Sequence, residues 1–409
     1  MLKNASWTQA RDLLQNLARP VETEVVSLDD CPGRVLGFDL NAAEDVPPFD
    51  RSAYDGYAFR SADVAGASKE QPVTLRISET VAAGALPTLP VTPGTAAHIM
   101  TGAKIPEGAD CVINFERTAF TENTVTVFSP LRPGDNIVKR GEDVEKGALL
   151  APCGTIIDPG LAGTLAAQGI ANVSVYRKPR IGLISTGSEV VEADEEQADG
   201  KIRNANRATF TALLSREGCE VRYLGLAGDA AKEISALIDR GLKDCDAVIL
   251  TGGVSVGDWD VTPEAMTQSG AEILLQGVDM KPGMACAYGL AGGKMVLGLS
   301  GNPASSLTNF CACALPALRK LCGRREALHQ PIQAELVKGF KKKSPSTRFL
   351  RGYLDLSQGS VRFISAPSQG NAVLSSTIGC NAFLLIPAGS GPVEPGTKLN
   401  GILLYCLPN

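Results

Sequence analysis

The chain has 409 residues, 44% hydrophobic and 20% charged, with a formal net charge of −5. It is too long for one ordinary domain and has the composition of a protein with sizeable buried cores. The negative balance argues against non-specific nucleic-acid binding, which needs a basic face, yet allows a small anion held by main-chain N–H groups.

With only two histidines, His98 and His329, histidine metal cages and histidine-based nucleophilic catalysis are poorly supplied, so catalysis would rest on carboxylates and main-chain donors. Eleven cysteines with no C-x-x-C pair read as reduced thiols packed as small hydrophobes in a reducing compartment. There is no apolar run of about 18 residues to span a membrane. The N-terminus lacks the basic start and short apolar core of a signal peptide, so the chain reads as cytoplasmic.

In chain order, Trp7, Ala10, Leu13, Leu14 and Leu17 recur at helical spacing, with Asn4 or Ser6 as cap and Pro20 as stop. Residues 46–143 alternate Gly, Pro and short β-branched runs, as expected of a β-rich domain. Residues 1–45 and 144–178 bracket it and are expected to close on one another as a linker domain. Over 179–325, apolar runs at 180–185, 220–225, 246–251 and 294–299 alternate with helical patterns at 206–216, 230–242 and 303–321. That predicts a doubly wound α/β domain, a parallel sheet with helices on both faces. Residues 326–409 return to β texture, with strands expected at 331–337, 349–356, 361–365, 382–386 and 398–405 forming a small barrel or sandwich.

Ligands of open α/β sheets lie outside the carboxyl ends of the strands. Here those loops are STGSE (185–189), GD (228–229), TGGVSVGDWD (251–260) and LSGNP (299–303). Glycines beside hydroxyls, at Gly252, Gly253, Ser255, Gly257 and Gly301-Asn302-Pro303, suit a phosphate. Glu189, Asp229 and Asp260 offer oxygen ligands for Mg2+. The loop 251–257 is neither a Walker A loop nor a dinucleotide fingerprint, so each piece alone also reads as an ordinary turn.

Taken together and in order, PPFDRSAYDGYA, IMTGAKIPEGAD, VKRGEDV, ISTGSEV, LTGGVSVGDWD, GLSGNPAS and QGNAVLSS resemble the molybdopterin molybdotransferase family, whose other branch is the C-terminal domain of gephyrin. The resemblance covers essentially the whole chain. It implies a linker domain, a β-rich domain, a molybdopterin-binding α/β domain and a C-terminal β domain. It also implies a homodimer in which the α/β domain of one subunit faces the β-rich domain of the other. The implied reaction consumes adenylylated molybdopterin and molybdate with Mg2+, releases AMP and leaves molybdenum on the dithiolene. A molybdopterin adenylyltransferase would act upstream. Carried over by position, Asp55, Thr101 and Asp143 are functional residues of the β-rich domain, and Glu189, Asp229, Asp260 and Pro303 of the α/β domain.

The chain departs from the family pattern at several places. PGKP is replaced by Pro282-Gly283-Met284-Ala285, GLPGNP carries Ser300, a lysine expected shortly after Asp260 is Pro263, and an Asp before the 206–207 pair is Asn204. Lost lysines beside an anionic ligand weaken it, and Lys281, Lys139 and Arg140 are candidates to compensate. Three readings follow: the transferase itself; a paralogue that binds or carries the cofactor, or inserts tungstate; and a scaffold by analogy with gephyrin.

Overall fold

The computed structural model describes residues 1–254, 261–357 and 359–405. The chain forms two compact units. One comprises Met1–Phe38, Cys153–Asp158 and Asn172–Asn409, and the other Asp39–Pro152 and Pro159–Ala171. The segments expected to form a separate linker domain are therefore shared between the two.

In the first unit the central strands lie in the order Glu220–Ala227, Arg180–Thr186, Ala247–Thr251 and Lys294–Leu299, all parallel. The expected parallel sheet is found in these four strands, and two antiparallel pairings extend it. Cys286–Ala291 is antiparallel to Lys294–Leu299, and Glu272–Lys281 is antiparallel to Cys286–Ala291. The two-residue turn Gly292-Gly293 makes the first of these pairings, because both glycines have positive φ. Apolar periodicity carries no information on strand direction, so this hairpin was not legible from it.

Helices cover both faces. Ala205–Arg216 and the run from Pro303 to Leu321 pack on one, and Ala231–Asp244 and Thr262–Gln268 on the other. The N-terminal helix Trp7–Leu17 is capped by Ser6, with Gln9 completing the capping box, and buries Ala10 and Leu14 in the first of these cores. Its preceding strand, Leu2–Ser6, pairs parallel with Glu272–Lys281.

Glu272–Lys281 also joins the sheet to the C-terminal barrel, through Met280↔Thr347 and Lys281↔Arg348. The barrel closes in the order Thr347–Asp355, Arg362–Ser365, Gln330–Leu336, Lys398–Leu403, Ala382–Ile386 and back to Thr347–Asp355. Closure leaves no free edge, so Leu336, Leu350, Phe363, Leu384 and Ile386 share one buried interior.

The second unit is built on a six-stranded sheet in the order Cys111–Asn114, Gly56–Phe59, Thr95–Ile99, Val73–Val81, Thr124–Val127 and Thr118–Phe120. Its core includes Tyr57, Phe59, Leu75 and Ile113. Among the described residues no helix is long and apolar enough to cross a membrane.

Candidate functional site

Three parallel strands of the first unit end level with one another, since Ser185 pairs with Thr251 and Thr251 with Leu299. The loops that follow enclose a cleft of about 300 Å3, bordered by Thr186, Glu189, Asn206, Asp229, Gly252 and Gly301 among others. Backbone geometry dictates two of its glycines. Gly252 has φ of +117°, and a Cβ there would stand 2.3 Å from Thr186 Oγ1 and 2.6 Å from Thr186 O. Gly187 has φ of +131°, and a Cβ there would lie 2.5 Å from Glu189 Oε2, because that carboxylate folds back over it.

The cleft walls are tied together by polar contacts. Thr186 Oγ1 donates to Thr251 O at 3.3 Å, Gly252 N to Leu299 O at 2.9 Å, and Thr262 Oγ1 to Gly252 O at 2.9 Å. Asn206 Nδ2 donates to Gly301 O at 2.9 Å, which fixes the third loop to the helix Ala205–Arg216. Thr251 is buried and its hydroxyl has no hydrogen-bond partner among the described residues. A buried hydroxyl of this kind costs free energy unless a ligand or water completes it.

Two of the three expected metal ligands border this cleft. Asp229 Oδ2 accepts from Ser188 N at 3.1 Å and Ser188 Oγ at 2.6 Å, and Glu189 has no side-chain partner among the described residues. Oxygen donors that leave most positions to water and phosphate suit Mg2+, so these residues fit that ion. Asp260, Ser255 and Gly257 lie outside the described residues, and no group of three acidic, His or Cys ligands occurs among the described ones.

Gly253, Gly301 and Pro303 border the cleft as expected, whereas Asn302, the exposed N-cap of Pro303–Asn309, does not. Lys281 is elsewhere too. It borders a larger basic pocket of about 780 Å3 with Lys338, Lys342 and Arg348. The sheet-to-barrel pairing of Lys281 with Arg348 puts it there.

Three of the departures from the family pattern have local explanations. Pro263 opens a helix, where its missing N–H is harmless. Ser300 Oγ accepts from Asn302 N at 3.2 Å. Asn204 caps the helix Ala205–Arg216 through Arg207 N and accepts from Ser185 Oγ, while its Nδ2 donates to Glu192 Oε1 at 3.2 Å. An aspartate there would set two carboxylates against each other. Glu192 is pushed up by burial, but the hydrogen bonds from Tyr223, Arg207 and Asn204 outweigh this and hold it below the usual range. Met284 is 60% exposed, and nothing in the structure explains the thioether there.

The second unit brings Asp55 and Thr101 together. Asp55 precedes the strand Gly56–Phe59, Thr101 follows Thr95–Ile99, and the two strands pair Gly56 with Ile99. Asp143 is exposed and has no side-chain partner among the described residues. Lys139 and Arg140 are engaged within the unit, by Asp50 at 2.9 Å and Asp45 at 2.5 Å. Thr251 and Asn206 were missed as site residues by sequence reasoning. The signal was present, since Thr251 immediately precedes the glycine pair and Asn206 opens the helix facing it.

A level set of glycine-rich loops at the carboxyl edge of a doubly wound sheet, joined to a closed β barrel, defines an α/β protein with a cleft at its strand ends. Family models match along the chain: the MoeA N-terminal region (domain I and II) over residues 5–169, a probable molybdopterin binding domain over 182–320, and the MoeA C-terminal region (domain IV) over 333–404. The chain is 37% identical over 387 residues to the molybdopterin molybdenumtransferase of Bacillus subtilis, covering 94% of this chain and 90% of that one. It is 35% identical over 378 residues to the Staphylococcus aureus protein of the same name, covering 92% and 90%. The molybdopterin biosynthesis MoeA structure from Pyrococcus horikoshii OT3 superposes with a TM-score of 0.85 at 31% identity, covering 98% of this chain and 100% of that one. The chain belongs to the MoeA family of molybdopterin molybdenumtransferases, and is an enzyme of the transferase class.

Proposed function

We propose that this protein completes the molybdenum cofactor by binding adenylylated molybdopterin, cleaving its phosphoanhydride with release of AMP, and delivering molybdate to the dithiolene. The observation that carries this reading is one cleft combining glycine main chain, the unpartnered Thr251 hydroxyl, Glu189 and Asp229. Gly252, Gly253 and Gly301 let the substrate approach the main chain closely, and Thr251 Oγ1 donates to a phosphate or pterin oxygen. Glu189 and Asp229, with Asp260, would hold Mg2+, which would supply charge neutralisation at phosphate oxygens. Ser188 orients Asp229 through its N–H and its hydroxyl. Lys281, Lys338, Lys342 and Arg348 border the pocket suited to molybdate, a tetrahedral oxyanion. Asp55, Thr101 and Asp143 complete the reacting centre from the partner subunit in a homodimer, and a molybdopterin adenylyltransferase supplies the substrate. The compartment is cytoplasmic, in keeping with buried, unbridged thiols such as Cys31, Cys111 and Cys311.

The exposed Met284, in place of the family's cation, favours a second reading as a carrier that binds the pterin without releasing AMP. The test is AMP release from adenylylated molybdopterin with and without Mg2+, molybdate and tungstate. Release dependent on molybdate establishes the transferase, and tight binding without release establishes the carrier.

A further inference from the structure

Cys219 and Cys322 are 103 positions apart in sequence, yet their Sγ atoms stand 3.8 Å from each other. Both are buried. Each sits at the far end of a helical run that reaches the cleft. Cys219 follows the helix Ala205–Arg216, whose opening residues Asn204 and Asn206 border the cleft. Cys322 closes the helical run that starts at Pro303, also a cleft residue. Cys322 further borders a separate pocket of about 210 Å3, whose walls include Arg34, Arg177, Lys178, Arg216 and Arg324. Nothing in the proposed reaction uses either thiol or this pocket.

We propose that Cys219 and Cys322 are an oxidative modification site, at which a peroxide entering the basic pocket converts the pair to a disulfide tying together the two cleft-bearing helical runs. Cys322 is the attacking thiol, because it is the one that lines the pocket, and Arg324 approaches the same corner through Glu217 at 3.0 Å. The hydrogen bond from Cys219 lowers the Cys322 thiol against the effect of burial, and Arg324 adds to that. Cys219, raised by the same contact and by burial, keeps its proton until the second step.

In the first step the Cys322 sulfur attacks one peroxide oxygen and the O–O bond breaks. The departing hydroxide takes a proton and leaves as water, so Cys322 becomes a sulfenic acid. In the second, the Cys219 sulfur attacks the Cys322 sulfur and the S–O bond breaks. Hydroxide leaves with the Cys219 proton as a second water. Two thiols are oxidised and one peroxide is reduced to two waters. The sulfurs close from 3.8 Å to a bonded distance of about 2.05 Å. A reversible disulfide of this kind is the form that reducing compartments use for redox sensing.

The experiment treats the reduced, folded, full-length protein with hydrogen peroxide, then alkylates remaining thiols under denaturing conditions and maps the peptides. A Cys219–Cys322 cross-linked peptide, reversed by dithiothreitol, is the expected product. Cys219→Ser should stop at a sulfenic acid on Cys322 that dimedone traps, and Cys322→Ser should give neither species. Arg324→Gln should slow cross-linking several-fold. Full alkylation of both cysteines while half-buried Cys153 is consumed first would overturn the proposal, as would a cross-link that forms only in urea. The decisive readout is on the unaltered protein, so a variant that fails to fold does not rescue the idea. No pterin is needed, so the result stands apart from the proposed transferase activity.

Discussion

One oxygen of Asp55 accepts both donors of Thr101, the main-chain N–H at 2.6 Å and the hydroxyl at 2.7 Å. Those two bonds, the main-chain one first, hold the Asp55 carboxyl below the usual carboxylate range. The other oxygen, Oδ2, is left for a ligand. Because Asp55 is exposed, replacing it costs little fold stability. Asp55→Asn should lower kcat by roughly 100-fold or more, as loss of a positioned carboxylate does. Thr101→Val keeps the N–H and should cost about tenfold, the loss of one hydrogen bond to a charged group. It should also move the acidic limb of the rate profile to higher pH, since Asp55 would protonate more readily. AMP release across a pH series, beside melting curves, checks all four outcomes.

Ser188 bonds Asp229 twice while Glu189 beside it has no side-chain partner among the described residues, so the two carboxylates should respond differently to change. Glu189→Gln should raise the Mg2+ concentration for half-maximal activity by about tenfold, with pterin binding retained. Ser188→Ala should give a smaller rise, because the Asp229 carboxyl group remains and loses only part of what orients it. Chelation should abolish turnover and re-addition restore it. A Mg2+ titration identical for all three proteins would remove both residues from metal binding.

The turn at Gly252 leaves no room for a side chain. Gly252→Ala combines a positive φ with a contact 2.3 Å from Thr186 Oγ1, so it should cost about 1–3 kcal/mol and weaken pterin binding together with it. Gly66→Ala meets nothing within 4 Å and should be near neutral. Urea titrations of the two variants give the contrast directly. Equal stabilities would mean that the loop relaxes around the new methyl group.

Much of this architecture is legible in the amino-acid sequence. The five barrel strands lie within a few residues of their apolar runs, because each has a buried face and is bounded by Gly, Pro or Ser. Strand direction was not visible, since Cys286–Ala291 has the same buried texture whether parallel or antiparallel. Lys281 stands three residues from Met284 in a motif read as one anion site. The strand ends between them, and the register with Arg348 carries Lys281 toward the barrel. Asp55 and Thr101, 46 positions apart, pair because two short strands happen to lie side by side. Spacing alone does not encode such a contact, and only the family resemblance pointed to it.

Buried Glu217 gathers Arg319 at 3.1 Å, Arg324 at 3.0 Å and Arg216 at 3.7 Å. Burial raises its carboxyl, but the Arg319 hydrogen bond and the surrounding guanidiniums outweigh that and hold it low. Glu217→Gln should destabilise the first unit by about 3–5 kcal/mol, mostly because Arg319 is left as a buried cation, with half-buried Arg324 beside it, without a counter-charge. Glu217→Gln with Arg319→Met should recover part of that loss, since one orphaned charge goes with its partner. Denaturant midpoints of the single and double variants test the point, and a double variant no more stable than the single would sink it.

Arg319 also fixes the protonation of His329. Its Nη1 lies 3.3 Å from His329 Nδ1, and His329 Nε2 lies 2.6 Å from Cys311 O, so the ring fits as the neutral tautomer donating from Nε2 and accepting at Nδ1. Burial, aided by the Arg319 charge, pushes its pKa down to about 4. The unfolded chain titrates near the ordinary histidine value of about 6.5, so between those limits it binds more protons than the folded protein does. Stability from this group is therefore complete above about pH 6.5 and is lost as pH falls toward 4, by on the order of 3 kcal/mol. Glu217 acts in the same direction but only below the ordinary glutamate range near 4.3, so the two limbs separate. His329→Gln should flatten the limb between pH 6.5 and 4 and leave the more acidic one in place. Urea unfolding at pH 7, 6, 5 and 4 measures the slope, and an unchanged slope in His329→Gln would assign the loss to other groups.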